Sequence, residues 1–267
     1  MAALQIPNDK IGIVPCRHGP MAYPRADTII GRSLELYGEY SEDEVRLFAG
    51  LVKSGDTVID AGANIGALTV PLAHMVGASG RVLAFEPQRQ IHALLSTNIV
   101  LNGLENVMAE RMALGQAVGE TFIPNHSLGE ARNFGGVGVG IGSGQACPVT
   151  SIDALGLPAL RLLKIDVEGF EHQVLEGAEE TLRRLRPLLY VENDRRDLAP
   201  ALIRHLLDRG YRLWWHLALL FSSSNFRGNA DNVFGPMGSA NMLCLPSEMP
   251  VQISLEEIVA PDQPLPF

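Results

Sequence analysis

The sequence contains few cysteines and no long apolar run, and both absences restrict the kind of protein it encodes. Its 267 residues include three cysteines, Cys16, Cys147 and Cys244, which are far apart and form no Cys-x-x-Cys pair. We therefore expect reduced thiols, with neither a disulfide framework nor a zinc site. No stretch approaches the roughly 18 apolar residues that a membrane-spanning helix needs, and the first residues lack the apolar segment of a secretory signal. The sequence thus predicts a cytoplasmic protein without a membrane span.

Positive charge is also scarce. Lysine and arginine number 21 against 30 aspartates and glutamates, so the formal net charge is −9 and the pI is about 5.3. A polyanion such as nucleic acid is therefore not an expected partner. Apolar residues make up 46% of the chain and charged residues 19%, which is typical of a globular protein. The length favours one large α/β domain over two small ones.

Two common nucleotide-binding motifs are absent from the glycine turn after the first predicted buried strand. The apolar run Val58-Ile59 ends in Asp60, and Gly62-Ala63-Asn64-Ile65-Gly66 separates it from a helical pattern. This spacing is not the Gly-x-Gly-x-x-Gly of dinucleotide-binding proteins, and no P-loop lysine follows. Because the two glycines lack a Cβ, a ligand can lie directly against the backbone. We expect a ligand site here; the alternative is a tight turn with a purely structural role.

Predicted strands and helices alternate after this turn, which indicates right-handed βαβ units and a mostly parallel sheet. The main domain is predicted to span residues 41–250. Residues 1–40, rich in proline and glycine, are predicted to form an N-terminal cap or arm, with edge strands near residues 11–14 and 28–30. Residues 251–267 are predicted to form a C-terminal tail.

Two segments of the main domain differ from the rest in composition. Residues 133–144 are rich in glycine with alternating valine and isoleucine, so residues 115–150 are predicted to form a flexible flap or a thin β-hairpin over the site. Residues 222–240 form a polar loop between the last two predicted strands. This loop is expected either to contact a hydroxylated acceptor or to be a solvated hairpin tip.

Four predicted strands end in an acid, and these acids are Asp60, Glu86, Asp166 and Glu192. Ligands of open α/β sheets bind beyond the carboxyl ends of the strands, so the four side chains are expected to face one crevice. Glu86 lies about 20 residues after the glycine turn, where an acid binds ribose hydroxyls. Asp60 and Asp166 suit an ammonium group. A ligand that carries both a ribose and an amino-acid end fits S-adenosylmethionine better than a dinucleotide.

Three segments resemble the FkbM family of methyltransferases, which depend on S-adenosylmethionine. They are residues 58–66, residues 84–87 and residues 163–171, and the last, LKIDVEGFE, is the most distinctive. The resemblance covers roughly residues 55–195. It implies an α/β architecture, the Rossmann-like class I methyltransferase fold, with a seven-stranded, mostly parallel sheet and an antiparallel C-terminal hairpin. It also implies that the N-terminal segment and residues 115–150 carry the choice of substrate.

The same resemblance implies which residues bind the cofactor. The methionine end is expected to contact Asp60, Gly62, Asn64 and Gly66. Glu86 is expected to bind the ribose, and the turn of Met112 and Ala113 is expected to line the adenine. Asp166, at the end of the fourth predicted strand, completes the predicted cofactor site.

Methylation of a hydroxyl oxygen requires the loss of a proton, so a base or a metal ion is expected beside the acceptor. The candidate catalytic bases are Glu168 and His216. Each has a structural alternative: Glu168 also suits the first turn of the following helix, and His216, between Trp215 and Leu217, also suits the core.

Asp166, Glu192 and Asn193 are a candidate metal site at the ends of adjacent strands. They offer three oxygens, a set that suits Mg²⁺. The arrangement resembles the metal site of catechol-type O-methyltransferases, with Glu192 in place of an aspartate. The alternative is that Asp166 binds only the cofactor and Glu192 serves to orient its neighbours.

The predicted activity is O-methylation of a hydroxyl on a small natural product, a sugar or a glycan. A nicotinamide-dependent oxidoreductase is disfavoured by the spacing of the glycine turn and by the lack of a hydride-transfer pair. A catalytically silent methyltransferase fold that acts as a binding protein would not need the four strand-end acids. The N-terminal arm makes a homodimer plausible.

Overall fold

Strands and helices alternate along most of the chain. The computed structural model describes residues 9–138, 140 and 144–266. The strands are β1 Ile11–Cys16, β2 Gly19–Pro24, β3 Thr57–Ala61, β4 Arg81–Phe85, β5 Val107–Glu110, β6 Ala113–Leu114, β7 Gly119–Ile123, β8 Gln145–Thr150, β9 Leu162–Ile165, β10 Leu188–Glu192, β11 Tyr211–Leu219, β12 Gly238–Pro246 and β13 Glu257–Ile258. The α-helices are α1 Ile30–Tyr37, α2 Glu42–Leu51, α3 Thr69–Val76, α4 Arg89–Leu101, α5 Glu171–Glu176, α6 Glu179–Leu185 and α7 Ala199–Leu207.

The main sheet has the strand order β13-β11-β12-β10-β9-β3-β4-β5. The five strands from β10 to β5 pair in parallel, whereas β12 pairs antiparallel with both β10 and β11. The predicted α/β class, the mostly parallel sheet and the antiparallel C-terminal hairpin are therefore confirmed. The sheet also has an eighth strand, β13, which pairs with β11 at Leu213 and Trp214. It comes from the stretch that was predicted to be a C-terminal tail.

The register of the parallel strands arranges their residues in level rows across the sheet. Ala61 lies opposite Phe85 and Ile165, and Ile165 lies opposite Val191. The next residue of each strand falls in what we call the outer row: Glu86, Gly62, Asp166 and Glu192. The preceding level is the inner row: Ala84, Asp60, Lys164 and Tyr190. The outer row lies at the carboxyl edge of the sheet, and the inner row lies within it.

The sheet is buried between two layers of helices because side chains alternate along each strand. On one face, Ile59 belongs to an apolar cluster with residues of α5, α6 and α7, such as Leu175 and Ile203. On the other face, Val58 packs with Phe48 of α2 and Leu72 of α3. Neither face meets solvent at the centre, which is why the parallel strands are nearly continuous apolar runs. No helix in the described part of the chain is long and apolar enough to cross a membrane.

The N-terminal segment differs in part from the prediction. The strand predicted near residues 11–14 is present as β1, in an antiparallel hairpin with β2. The prediction of a strand near residues 28–30 is wrong, because this stretch is a turn that leads into α1. Asp27 stabilises this turn, because its Oδ1 accepts the backbone N–H of Ile29, two residues on, at 2.9 Å.

Two stretches of the main domain are each divided into shorter elements. Strand β5 ends at Glu110, and β6, which follows it, belongs to a separate sheet of order β6-β8-β7. The helical stretch of residues 171–185 is broken into α5 and α6 at Gly177. A Cβ at Gly177 would lie 2.0 Å from the carbonyl oxygen of Gly115. The helix therefore breaks where the second sheet packs against it.

Residues 115–150, predicted to form a flap or a thin β-hairpin over the site, contain the antiparallel strands β7 and β8. Between these strands, residues 133–137 lie across the carboxyl edge of the main sheet without forming a strand, and Phe134 is buried. The part of the prediction that concerns residues 139 and 141–143 lies outside the described residues. The segment thus covers the edge of the sheet where the acids were expected.

Candidate functional site

A cavity of about 280 Å³ lies at the carboxyl edge of the main sheet. The outer row lines it, and three segments that we call the roof segments, residues 25–40, 131–138 and 220–239, cover it. They contribute Ile30 and Tyr40, Gly136, and Ser239, among others. The volume is close to the lower end of the range of about 300–1,000 Å³ for small-molecule sites.

The glycine turn forms part of one wall of the cavity. Gly62 has φ of +77°, and a Cβ there would lie 1.8 Å from the carbonyl oxygen of Asp166, so only glycine fits. Asn64 also has a positive φ, +49°, and its Oδ1 accepts the N–H of Ile65 at 2.8 Å. Gly62 and Asn64 line the cavity. Gly66, which was predicted to contact the cofactor, has φ of +89° and lies against Leu95; its role is to permit the turn.

Glu86 is held rigidly at one end of the cavity. It is 3% exposed, and its two carboxylate oxygens accept the backbone N–H groups of Asn64 at 3.0 Å and Gln88 at 2.8 Å. Burial is the main cause that raises its pKa to about 7. The cavity at this end is also lined by Met112 and Ala113. These three predicted cofactor residues are therefore neighbours along one wall.

The structure does not bring Asp60 to the cavity surface. Asp60 is 0% exposed, its Oδ2 accepts the hydroxyl of Thr69 at 2.7 Å, and its Oδ1 lies 3.0 Å from Nζ of Lys164. The register explains this position, because Asp60 belongs to the inner row while Asp166 and Glu86 lie two residues further along their strands. The prediction that Asp60 contacts a ligand is corrected: Asp60 is the counter-ion of a buried lysine.

Three carboxylates meet at the opposite end of the cavity from Glu86. Asp166, Glu168 and Glu192 each have a carboxylate oxygen within 4.8 Å of the others; we call them the acid cluster. Glu168 has φ of +59°, an uncommon conformation for this residue type. Its carboxylate accepts a hydrogen bond from Arg195 Nη2 at 2.8 Å.

The three carboxyl groups of the acid cluster are incompletely paired with positive charge. Burial, and then the nearby Asp166, raise the pKa of Glu168 to about 7. The same two causes, in the same order, raise the pKa of Glu192 well above its usual range. Arg195 pairs with Glu168, and Lys164 lies 3.7 Å from Asp166 but is also paired with Asp60. The cluster is therefore suited to a positively charged ligand.

Two predicted site residues lie elsewhere. Asn193 donates from Nδ2 to the sulfur of Met242 at 3.3 Å. Successive side chains along a strand point to opposite faces, so Asn193 points away from the cavity that Glu192 faces. His216 contacts the hydroxyl of Tyr190 through Nδ1 at 2.7 Å, and burial lowers its pKa. Neither residue is among those that line the cavity. Glu168, predicted only as a base, takes the position in the cluster that was predicted for Asn193.

The roof segments are bound to one another by backbone contacts. The N–H of Thr28 donates to the carbonyl of Arg132 at 3.0 Å, which joins the first roof segment to the second. The hydroxyl of Tyr37 donates to the carbonyl of Asp231 at 2.7 Å and accepts the N–H of Val233 at 3.0 Å, which joins the first to the third. Sequence reasoning missed these contacts and Tyr40, since bonds to main-chain atoms leave no pattern in the residue types.

Known proteins resemble this chain in sequence and in structure. Residues 60–213 match the model of the methyltransferase FkbM domain. The methyltransferase sdnD of Sordaria araneosa is 27% identical over 211 residues, which cover 66% of this chain and 81% of that protein.

Two solved structures support the fold. The methyltransferase FkbM of Methylobacillus flagellatus has a TM-score of 0.52 and 18% identity, and the match covers 78% of this chain but only 48% of that one. This chain therefore spans about half the length of that protein. Trm5b of Pyrococcus abyssi has a TM-score of 0.50 and 12% identity, over 89% of this chain and 56% of that one. The likeness supports the Rossmann-like methyltransferase fold.

Substitution of Gly62 by alanine tests the geometry of the turn. A Cβ against the carbonyl oxygen of Asp166, together with the positive φ, is expected to cost about 2–4 kcal/mol of unfolding free energy. Gly50→Ala is the matched control, because nothing lies within 4 Å of its Cβ position in α2 and alanine there is expected to add about 0.5–1 kcal/mol. Chemical denaturation measures both; equal stabilities would contradict the described turn.

Proposed function

The chain belongs to the FkbM methyltransferase family, and we propose that it transfers the methyl group of S-adenosylmethionine to a hydroxyl oxygen of a small molecule, a sugar or a glycan. The observation that carries this proposal is the outer row. Gly62 has no side chain, so a ligand can lie along the sheet edge from Glu86 at one end to Asp166 and Glu192 at the other. One extended, positively charged cofactor can use all of these groups.

The orientation of the cofactor follows from the chemistry of each wall. Each carboxylate oxygen of Glu86 accepts one N–H group and keeps a lone pair for a ribose hydroxyl. Met112 and Ala113 would then line the adenine. The methionine end would lie along Gly62 and Asn64, with its ammonium group at Asp166. The sulfonium would face the acid cluster, which favours positive charge.

Glu168 is the proposed base. Methyl transfer is an in-line displacement in which the acceptor oxygen forms a bond to the methyl carbon while the carbon–sulfur bond breaks. The hydroxyl proton would pass to the Glu168 carboxylate, and the cofactor would leave as the neutral thioether S-adenosylhomocysteine. A carboxyl with a pKa of about 7 is a competent base near neutral pH. His216 is not proposed as a base, because it lies outside the cavity lining.

The acid cluster also fits a divalent cation, and this supports a second arrangement of the same reaction. Mg²⁺ prefers carboxylate oxygens, and Asp166, Glu168 and Glu192 supply three within 4.8 Å of one another. These residues, rather than the predicted set with Asn193, would hold the ion. A bound Mg²⁺ would lower the pKa of the acceptor hydroxyl as a Lewis acid. In that arrangement Glu168 is a ligand and not the base.

Binding and turnover test the proposed function. We expect titration calorimetry to detect S-adenosylmethionine and S-adenosylhomocysteine but not NADH, and we expect S-adenosylhomocysteine release in the presence of a hydroxylated acceptor. The acceptor panel should contain polyols, sugars and phenols. A tRNA transcript should be included as an acceptor that we expect not to be methylated, since the net charge of −9 disfavours a polyanion. Failure to bind S-adenosylmethionine would refute the proposal. Binding without turnover on any acceptor would support a silent binding protein.

The pH profile of kcat/KM tests Glu168. The base must be ionised, so activity should rise with pH and level off above about 7, the pKa of Glu168. Glu168→Gln should lower the rate by about 10²–10⁴-fold and remove this acid limb. Arg195 lowers the pKa of Glu168, so Arg195→Gln should move the limb to higher pH. Arg183→Gln, at an exposed pair with Glu180, is the control and should leave the profile in place.

Metal removal separates the two arrangements. If Glu168 is the base without a metal, enzyme treated exhaustively with EDTA should keep its activity, and this is the result we expect. A loss of activity that Mg²⁺ restores and Ca²⁺ does not would favour the metal arrangement, because Mg²⁺ demands a stricter octahedral geometry than Ca²⁺. Inductively coupled plasma mass spectrometry on the purified protein gives the independent check.

A further inference from the structure

One charged side chain of the cavity wall takes no part in the proposed chemistry. Lys164 is 2% exposed and lies in β9, in the interior of the main sheet between β10 and β3. Parallel strands that are covered on both faces are largely apolar. A buried ammonium group is costly unless hydrogen bonds and an opposite charge compensate it. The contacts of Lys164 therefore show which groups compensate its buried charge.

The ammonium group of Lys164 has three N–H donors and three acceptors at hydrogen-bond distance. Nζ lies 3.0 Å from Oδ1 of Asp60, 3.0 Å from the carbonyl oxygen of Gly62 and 3.3 Å from that of Ala61. Oδ2 of Asp166 lies at 3.7 Å, beyond hydrogen-bond distance. Two hydrogen bonds and the ion pair with Asp60 thus tie the ammonium group to the end of β3 and to the first residue of the glycine turn.

This network holds the glycine turn at both ends. The second carboxylate oxygen of Asp60 accepts the hydroxyl of Thr69, the first residue of α3, at 2.7 Å. The N–H of Gly62 donates to the carbonyl of Phe85 at 3.0 Å. Both peptide groups of Gly62 are therefore fixed, one by β4 and one by Lys164. The turn has little freedom to adapt once the lysine holds it.

The network also decides which aspartate is available to a ligand. Lys164 neutralises Asp60 in the inner row, and Asp60 has no exposed surface. The side chain of Asp166, in the outer row, is 37% exposed and lines the cavity. A ligand cation therefore meets Asp166 and not Asp60.

We propose that Lys164 is a positioning residue for the cofactor. It holds the Gly62 turn and neutralises Asp60, so that Asp166 alone binds the ammonium group of S-adenosylmethionine. The inference rests on the proposed function. It assigns to the buried ion pair a role in cofactor affinity that is separate from its role in stability.

Three variants separate positioning from stability: Lys164→Met, Asp60→Asn and the double variant. Lys164→Met leaves Asp60 buried without its counter-ion, and Asp60→Asn leaves Lys164 with only the longer pairing to Asp166 at 3.7 Å. The Tm of each single variant should therefore fall by about 10 °C. The double variant removes both charges and should recover most of the Tm. Its Kd for S-adenosylhomocysteine, measured by calorimetry, should still be about tenfold higher than that of the unaltered protein, because nothing then holds the Gly62 carbonyl. Recovery of both Tm and Kd would overturn the positioning role.

Asp166→Asn tests the assignment of the ammonium group. Loss of a charge-assisted hydrogen bond should raise the Kd for S-adenosylhomocysteine by about 10- to 100-fold. 5′-Methylthioadenosine lacks the amino-acid end, so its Kd should be unchanged. An equal loss for both ligands, or no loss for either, would overturn the assignment.

The outcome for the unaltered protein distinguishes the two proposals. If it binds neither S-adenosylmethionine nor S-adenosylhomocysteine, the proposed function is wrong and this inference is wrong with it. If it binds both, and the double variant and Asp166→Asn bind as well as it does, only this inference is refuted.

Discussion

The level register of four parallel strands is the constraint on which the rest of the site depends. Hydrogen bonds between β4, β3, β9 and β10 put Glu86, Gly62, Asp166 and Glu192 in one row at the carboxyl edge. Parallel pairing requires each strand to continue into a crossover at this edge, so the row is also where the chain turns. Burial at the edge then raises the pKa values of Glu86 and Glu192.

Local patterns in the sequence were sufficient to predict the sheet, the glycine turn and most of the outer row. Apolar runs ending in an acid or in glycine are short-range features, and the strands formed where these runs lie. The prediction for Asp60 was wrong by two residues along the strand, since whether an acid ends a strand or lies within it depends on register with the neighbouring strand. Asn193 and His216 were misplaced for a related reason: alternation gives two faces, and only packing decides which of them meets the cavity.

The roof segments could not be predicted in the same way. Residues 25–40, 131–138 and 220–239 are far apart in sequence, and main-chain bonds such as those to Arg132 and Asp231 join them. Such bonds are available to almost any residue type, so composition does not reveal them. In the proposed function, the sheet edge, which regular strand pairing forms, would support the cofactor. The irregular roof segments would shape the remaining part of the cavity and so the choice of acceptor.

The two rows also differ in charge, and this difference bears on which cofactor the cavity accepts. The inner row is balanced, because Lys164 offsets Asp60. The outer row has three carboxyl groups, and Glu168, which pairs with Arg195, adds a fourth. The pKa values of Glu86, Glu168 and Glu192 are raised, so a nearby positive charge favours their ionisation and a nearby negative charge opposes it. A dinucleotide would bring a pyrophosphate to this edge, and two like charges about 4 Å apart repel by about 4 kcal/mol at an effective dielectric constant of about 20. A sulfonium and an ammonium group would instead relieve the repulsion among the acids. The charge of the sheet edge therefore argues for S-adenosylmethionine independently of the spacing of the glycine turn.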